Sequence, residues 1–365
     1  MKKIAVIGNL PSGGGSVVFN YQIRALKRKY VVNVYNNCEK PSNKVGIIIY
    51  YIKVIYDLIK NIKLSREINK NYSLLLAYQS WLTKSPIIFP LIKIPIIYIC
   101  NEIPREHYDK LLRSKFSIKE MIINNILLLP IMIIDFLNIV MARNNLTIIT
   151  LSKNSSELIK KVYKIIPIII YPGIPVSKFN KHTVIHNRKN QIITVGAINK
   201  VKNQLFVLEV VSNISKHYRP KVVIVGNGGD GGYIQELKEY ARIHKINLEI
   251  RTCISRKDLI KIYRESKALM YSPINEPFGL VVIEAMQAGL PIIVSKDGGG
   301  YSEIVNNRNG YILENKPKLW ANKYKNLLLN SDIWLKYSQY NVNHSKKFTA
   351  TKSALRLLKC IETII

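Results

Sequence analysis

Carboxylates are scarce in this 365-residue chain: 23 Asp and Glu stand against 55 Lys and Arg, a formal charge of +32. Such an excess implies an anionic partner, whether nucleic acid, an acidic membrane surface or a negatively charged substrate. Cysteine is scarce too. Cys38, Cys100, Cys253 and Cys360 form no C-x-x-C pair, which argues against a disulfide framework and a structural zinc site and suits a reducing cytosol. No D-x-D triplet occurs, so no bridging divalent metal is implied. Met1-Lys2-Lys3 precedes only Ile4–Ile7, too short an apolar run for a signal peptide, and reads as a first strand. What is abundant is apolar: 48% hydrophobic against 21% charged residues describes a globular chain, long enough for two domains.

The most informative stretch runs from Asn275 to Val305. Glu276 falls in a Pro/Gly loop and Glu284 eight residues later on a following helix, which Gly289-Leu290-Pro291 ends before a buried strand from Ile292. Gly298, Gly299 and Gly300 then predict a loop opening another helix near Ser302, with amides free to approach an anion. Two carboxylates at one crevice suit sugar hydroxyls, while helix-start amides and cations suit phosphates. Without further signal the same stretch describes an ordinary strand–helix–strand unit with surface glutamates.

The run E-P-F-G-L-V-V-I-E-A-M-Q-A-G-L-P, from Glu276 to Pro291, resembles the E-x7-E signature of retaining glycosyltransferases of the GT-B fold, glycosyltransferase family 4. The resemblance implies an α/β architecture: two doubly wound Rossmann-like domains facing across a cleft, with a C-terminal helix returning to the first. Residues 1–172, 190–345 and 346–365 are the expected divisions. It also implies transfer of a sugar from a nucleoside-diphosphate sugar with retention at the anomeric carbon, without metal or cofactor. Glu276 would hold the sugar hydroxyls and stabilise developing positive charge. Glu284 would hold the ribose, and the amides around Phe278, Gly279 and Leu280 the diphosphate.

Taken in order, Ile4–Ile7, a glycine loop through Gly15 and a helix from Val17 begin the first domain; the resemblance assigns Gly14 and Gly15 to the donor diphosphate. Val31–Tyr35, Leu74–Ala77, Pro95–Cys100 and Thr147–Leu151 read as further strands, with Ser152 or Ser155 capping the next helix. The loop after Cys100 resembles an acceptor-side loop of the family, which points to Asn101, Glu102 and Arg105; Asn101 stands where a histidine is often found. Ile165–Tyr171 with Pro172-Gly173 resembles the family's hinge. In the second domain, Gly196-Ala197 through Lys202-Asn203 resembles the G-R-x-x-x-x-K-N segment, so Lys202 matches the lysine that neutralises the leaving diphosphate. Ala197 occupies the arginine position, removing one cation for which Lys200 or Lys296 would have to compensate. The glycine loop starting at Gly226 matches one that packs near the nucleotide, and Cys253 stands near the usual glycine after the next strand.

Two segments bear on the partner. Val45–Leu64 repeats apolar residues at helical spacing among Tyr50, Tyr51, Lys53, Tyr56, Lys60 and Lys63, which fits either a helix lying on an anionic membrane or a core helix with a solvated lysine face. Met121–Ala142 is almost wholly apolar; at 100° per residue Asn124, Asp135 and Asn138 fall within about 60° of one another. Pro130 and Asp135 disfavour a spanning helix, leaving a membrane-dipping helix or one buried against the sheet. The resulting expectation is a cytoplasmic enzyme, peripheral on the cytosolic face of an anionic membrane, acting on a lipid-linked or membrane-associated glycan. Two rivals are a nucleic-acid-binding or nucleic-acid-glycosylating protein of the same fold, and a non-catalytic nucleotide-sugar binder. Nucleic acid is disfavoured because an apolar helix has no use on DNA and no nucleic-acid module is recognisable.

Overall fold

A computed structural model describes residues 1–8, 14–36, 47–80, 82–104, 118–175 and 188–365. They form two compact units: residues 1–171 with 350–365, and residues 172–349. The elements named below are those of the described residues.

Unit 1 contains β1 (Lys3–Ile7), α1 (Gly14–Leu26), β2 (Val31–Tyr35), α2 (Ile47–Asn71), β3 (Leu74–Tyr78), β4 (Ile96–Cys100), α3 (Ile118–Met141), β5 (Leu146–Thr150), α4 (Lys153–Tyr163) and β6 (Ile168–Ile169). Its strands form one parallel sheet in the order β2-β1-β3-β4-β5-β6. β3 and β4 read LLLAY and IIYIC with every residue buried, because a parallel sheet covered on both faces leaves no polar side to alternate with. On one face Ile4, Val6 and Ile97 pack with Leu26 of α1 and with Leu357 and Ile361 of the C-terminal helix, Ala350–Ile364. On the other, Leu75, Tyr98 and Ile148 pack with Ile68 of α2, Ile139 of α3 and Ile159 of α4. Ser152 is the cap of α4, accepting a hydrogen bond from the Ser155 amide at 3.0 Å. The 165–171 stretch, read as part of a hinge, holds the two-residue β6 between Pro167 and Pro172, which have no amide to donate to a ladder.

Unit 2 contains β7 (Gln191–Val195), α5 (Gln204–Ser212), β8 (Lys221–Gly226), α6 (Gly231–Ile243), β9 (Leu248–Thr252), α7 (Arg256–Glu265), β10 (Ala268–Tyr271), α8 (Leu280–Gln287), β11 (Ile292–Ser295), β12 (Gly310–Leu313), α9 (Pro317–Leu329) and α10 (Ser331–Ser345). α11 is the helix Ala350–Ile364 already placed in unit 1. The second sheet is also parallel, in the order β12-β11-β10-β7-β8-β9. Its direction of winding reverses between β7 and β10, so the loops leaving their C-terminal ends diverge and open a crevice. Two doubly wound units on one chain, with the last helix in the first unit, constitute the GT-B fold.

The helical pattern of 334–365 is interrupted between Ser345 and Ala350, where the Ile174 amide donates to the Phe348 carbonyl at 3.1 Å. Arg188, which reads as part of a polar linker, is buried. Its guanidinium donates to the carbonyls of Tyr263, Ser266 and Ala288 at 3.2, 2.9 and 2.8 Å and lies 5.0 Å from the Trp334 ring. Desolvation lowers its pKa to about 10.

α2 and α3 reverse the usual amphipathic order. In α2 the buried positions include Asp57, Asn61 and Ser65, while Ile52, Ile55, Tyr56 and Ile59 are 57%, 58%, 65% and 62% exposed. In α3 the buried positions include Asp135 and Asn138, whereas Ile133, Phe136, Leu137 and Met141 are exposed. Asp135 accepts from the Ser85 amide at 2.8 Å and from the Tyr163 hydroxyl, and burial raises its carboxyl pKa above the usual range. A core helix with a solvated lysine face is therefore not what 45–64 becomes, and 121–142 buries its polar edge rather than its apolar arc. Among the described residues, no helix is long and apolar enough to cross a membrane.

Candidate functional site

The crevice at the β7/β10 reversal collects the residues singled out in unit 2. From β7 the chain passes Gly196 into a single 3-10 turn, Lys200–Lys202; from β10 it passes Ser272–Gly279 into α8. These two loops are tied together. The Ile274 amide donates to the Val201 carbonyl at 2.9 Å, and the Ser272 hydroxyl donates to the Asn203 carbonyl at 3.0 Å. Asn199 caps the turn by accepting from the Lys202 amide at 3.1 Å. The Lys202 ammonium consequently reaches Glu276 and forms an ion pair with its carboxylate, the two side chains remaining only 20% and 15% exposed. Water is partly excluded there, so each charge acts on its partner, or on a ligand, more strongly than it would at an open surface.

Glu276 owes its backbone position to the triple glycine. Its amide donates to the Gly298 carbonyl at 2.6 Å, and the Gly300 amide donates to the Glu276 carbonyl at 2.7 Å. Gly299 has φ of 93°, and a Cβ there would stand 2.4 Å from the Glu276 oxygen, so a side chain would force the strands apart. The Gly298 carbonyl and the Gly300 amide thus clamp Glu276, and of the three glycine amides that of Gly300 is spent on it. The helix expected near Ser302 is one 3-10 turn, Gly300–Glu303, and its Gly300 amide is already donated.

Gly279 starts α8 with φ of 86°, and a Cβ would meet Tyr301 at 2.9 Å. No side chain caps this helix, so the first-turn amides beginning at Leu280 have no side-chain acceptor. The Phe278 ring is buried near Phe348, with centroids 6.3 Å apart. Glu284, within α8, is also buried. The Arg256 guanidinium pairs with one of its oxygens, and the Tyr263 hydroxyl donates to the other at 2.9 Å. Burial, followed by the Glu284 charge, pushes the Tyr263 hydroxyl pKa well up. Nothing in the sequence pattern announces Arg256 or Tyr263, because their partner lies 28 and 21 residues away across the sheet.

Gly226 packs closely against Gly196. A Cβ on Gly226 would lie 2.6 Å from the Gly196 carbonyl oxygen, so the loops after β7 and β8 pack backbone against backbone. Cys253, after β9, has φ of 53°, a conformation that favours glycine, and donates its amide to the Gly226 carbonyl at 2.9 Å. Ala197 is exposed and its carbonyl accepts from the Gln204 amide side chain at 2.9 Å; Lys200 and Lys296 are exposed as well.

In unit 1, Gly14 and Gly15 are the first residues of α1, and the glycine loop before them lies outside the described residues. Asn101 and Glu102 follow β4, both half-buried, with the Lys84 ammonium 3.7 Å from Glu102. Arg105 lies outside the described residues.

Residues 176–346 match the family model of glycosyl transferases group 1. Among curated proteins, the chain is 25% identical over 178 residues to D-inositol 3-phosphate glycosyltransferase of Corynebacterium jeikeium, covering 47% of this chain and 42% of that one. It is 28% identical over 229 residues to alpha-1,3/1,6-mannosyltransferase ALG2 of Dictyostelium discoideum, covering 50% of this chain and 52% of that protein. The chain thus spans about half the length of these relatives or less. Among solved structures, Anabaena HepE in complex with UDP and glucose superposes with a TM-score of 0.70 at 15% identity over 100% of both chains, a likeness of fold. The E-x7-E residues Glu276 and Glu284 and the Lys202 turn all fall inside the matched stretch, so it is residues 176–346, on a chain with the GT-B fold, that are similar to the group 1 glycosyltransferases.

Proposed function

We propose that this protein is a retaining glycosyltransferase that moves a sugar from a nucleoside-diphosphate sugar to a hydroxyl of a lipid-linked or membrane-associated glycan. The observation that carries the reading is the Lys202–Glu276 pair at the sheet reversal, a cation and a carboxylate held a few ångströms apart by two interlocked loops. A donor separates their tasks. Lys202 turns to the diphosphate, and Glu276 accepts hydrogen bonds from the sugar hydroxyls. Amides from Phe278 to Leu280 at the start of α8 join Lys202 in taking the phosphate charge. Glu284 keeps lone pairs beyond those used by Arg256 and Tyr263, which suffices for a ribose. Gly196 and Gly226 let the chain pass close to the nucleotide. Asn101, Glu102 and Arg105 serve the acceptor.

In the transfer step the bond between the anomeric carbon and the diphosphate oxygen breaks, and the acceptor oxygen bonds to the same face. The acceptor proton passes to the departing phosphate oxygen, so no protein base is assigned. Glu276 opposes the positive charge building on the sugar ring, and Lys202 the negative charge on the leaving group. No cofactor is assigned.

The membrane-associated acceptor and the cytosolic-face location rest on the +32 charge. Exposed Ala197 supports a second reading, a nucleotide-sugar binder without turnover. A screen of UDP-, GDP- and ADP-sugars for nucleoside-diphosphate release separates the two. Release from one donor, abolished by Glu276→Ala, is the expected result; binding of a donor without release establishes the second reading.

A further inference from the structure

Unit 1 carries a surface that water does not suit. Thirteen of the twenty-two large apolar side chains exposed among the described residues lie on α2 and α3. On α2, Ile49, Ile52, Ile55, Tyr56, Ile59 and Ile62 are all at least 40% exposed. At 100° per residue they span about 140°, centred opposite the buried Asp57, Asn61 and Ser65. The exposed positions of α3 between Leu129 and Met141 hold no polar residue at all, since its Asp135 and Asn138 are turned inward. Both helices cover the same face of the unit 1 sheet, and Tyr50 of α2 and Ile134 of α3 pack on one small cluster of Val54, Leu82 and Ile87. Their sides away from the sheet therefore form one apolar surface, larger than scattered single exposures account for.

Charge decides what covers it. α2 also carries Lys53, Lys60, Lys63, Arg66 and Lys70, while its acidic residues are Asp57, which is buried, and the exposed Glu67, which accepts from the Tyr35 hydroxyl at 2.6 Å. A second copy docked face to face would set these cations against their own images. An anionic bilayer takes both properties at once, acyl chains receiving the isoleucines and headgroup phosphates the lysines. We infer that α2 and α3 dock unit 1 onto an anionic lipid bilayer, with their apolar arcs inserted below the headgroups. This deepens the reading of a membrane-associated acceptor and rests on it for its biological setting. The surface belongs to unit 1, whereas Lys202 and Glu276 belong to unit 2.

The test is co-sedimentation of the full chain with vesicles of phosphatidylcholine, with and without phosphatidylglycerol, at low and high salt. Wild type is expected on the anionic vesicles, with part of the binding surviving salt because insertion is not screened. Ile52→Ser with Ile59→Ser, and separately Ile133→Ser with Leu137→Ser, each lower the partition coefficient about tenfold or more. Lys53, Lys60 and Lys63 changed to Gln lose the preference for anionic vesicles. Circular dichroism confirms that each variant is folded, which is expected because exposed side chains are being replaced. Unchanged binding in both serine variants overturns the inference. So does a wild-type dimer that ignores vesicles and falls to monomers in the isoleucine variant, which would assign the surface to a second copy. Nucleoside-diphosphate release with and without vesicles is read in parallel: its absence in both, alongside intact vesicle binding, overturns the transferase reading and leaves the docking surface standing.

Discussion

α5 of unit 2 and α2 of unit 1 are both rich in aliphatic residues, yet they use them in opposite senses. α5 buries Phe206, Val207, Leu208, Val210 and Val211 against the sheet. α2 turns Ile52, Ile55 and Ile59 out and, beside Val54 and Ile68, buries Asp57, Asn61 and Ser65. The inward polar groups are tolerated because they find partners close by: the Asn61 amide donates to the Asp57 carbonyl at 2.7 Å, and the Ser65 hydroxyl to the Ile62 carbonyl at 2.8 Å. Amphipathicity in a sequence therefore says that a helix has two faces, not which of them meets the core. Unit 2 is finished for water on its helices and concentrates its reactive charges in one crevice; unit 1 leaves apolar area for something other than water.

The largest effect that sharpens this contrast is functional. Lys202→Ala removes the cation opposing leaving-group charge and is expected to lower kcat by about 10²–10³, measured by nucleoside-diphosphate release, while the Ile52 and Ile59 changes leave lipid-free release unaltered. Next comes stability. Leu208→Ala, at a fully buried site in α5, should cost about 3 kcal/mol. Ile59→Ala in α2, at a site 62% exposed, should stay within about 0.5 kcal/mol. Denaturant titrations that gave equal losses at the two sites would erase the distinction between the helices.

A smaller change concerns the buried carboxylate of the crevice. Arg256→Ala removes the cation beside Glu284 and leaves the Tyr263 hydroxyl donating to it; as the arginine is 45% exposed, the loss should be about 1–2 kcal/mol, with a raised KM for donor. A thermal shift together with donor kinetics checks both halves. The smallest effect is a pH slope. Burial raises the Asp135 pKa, so the folded state holds this proton more tightly than the unfolded chain. Stability should fall as pH rises from the ordinary carboxylate range through the raised folded value, then level off. Asp135→Asn should flatten that slope in melts across the window; an unchanged slope would trace it to another group.

Much of this was legible beforehand. Continuous runs such as LLLAY and IIVS, followed by glycine and a helical period, mark buried parallel strands, since only strands covered on both faces dispense with polar alternation. The spacing of Glu276 and Glu284 was legible for the same reason: a loop and the next helix place them by local geometry alone. Three features were not. Arg256 and Tyr263 reach Glu284 from 28 and 21 residues away, a distance that only strand order closes. Gly298–Gly300 read as an anion loop, and only the structure shows that the carbonyl of Gly298 and the amide of Gly300 hold Glu276. Arg188 lies in a polar-looking stretch, yet three carbonyls from separate elements converge on it.

By itself the sequence determined the class of the fold, the charge excess and the identity of the groups at the crevice, because hydrophobic period, turn chemistry and motif spacing are short-range properties. Only the tertiary structure decided which side of α2 and α3 meets the sheet and that Lys202 reaches Glu276 across 74 residues of chain. Those outcomes depend on which strands become neighbours and on whether a buried polar group finds a partner, and both are settled by packing among segments that are remote in sequence.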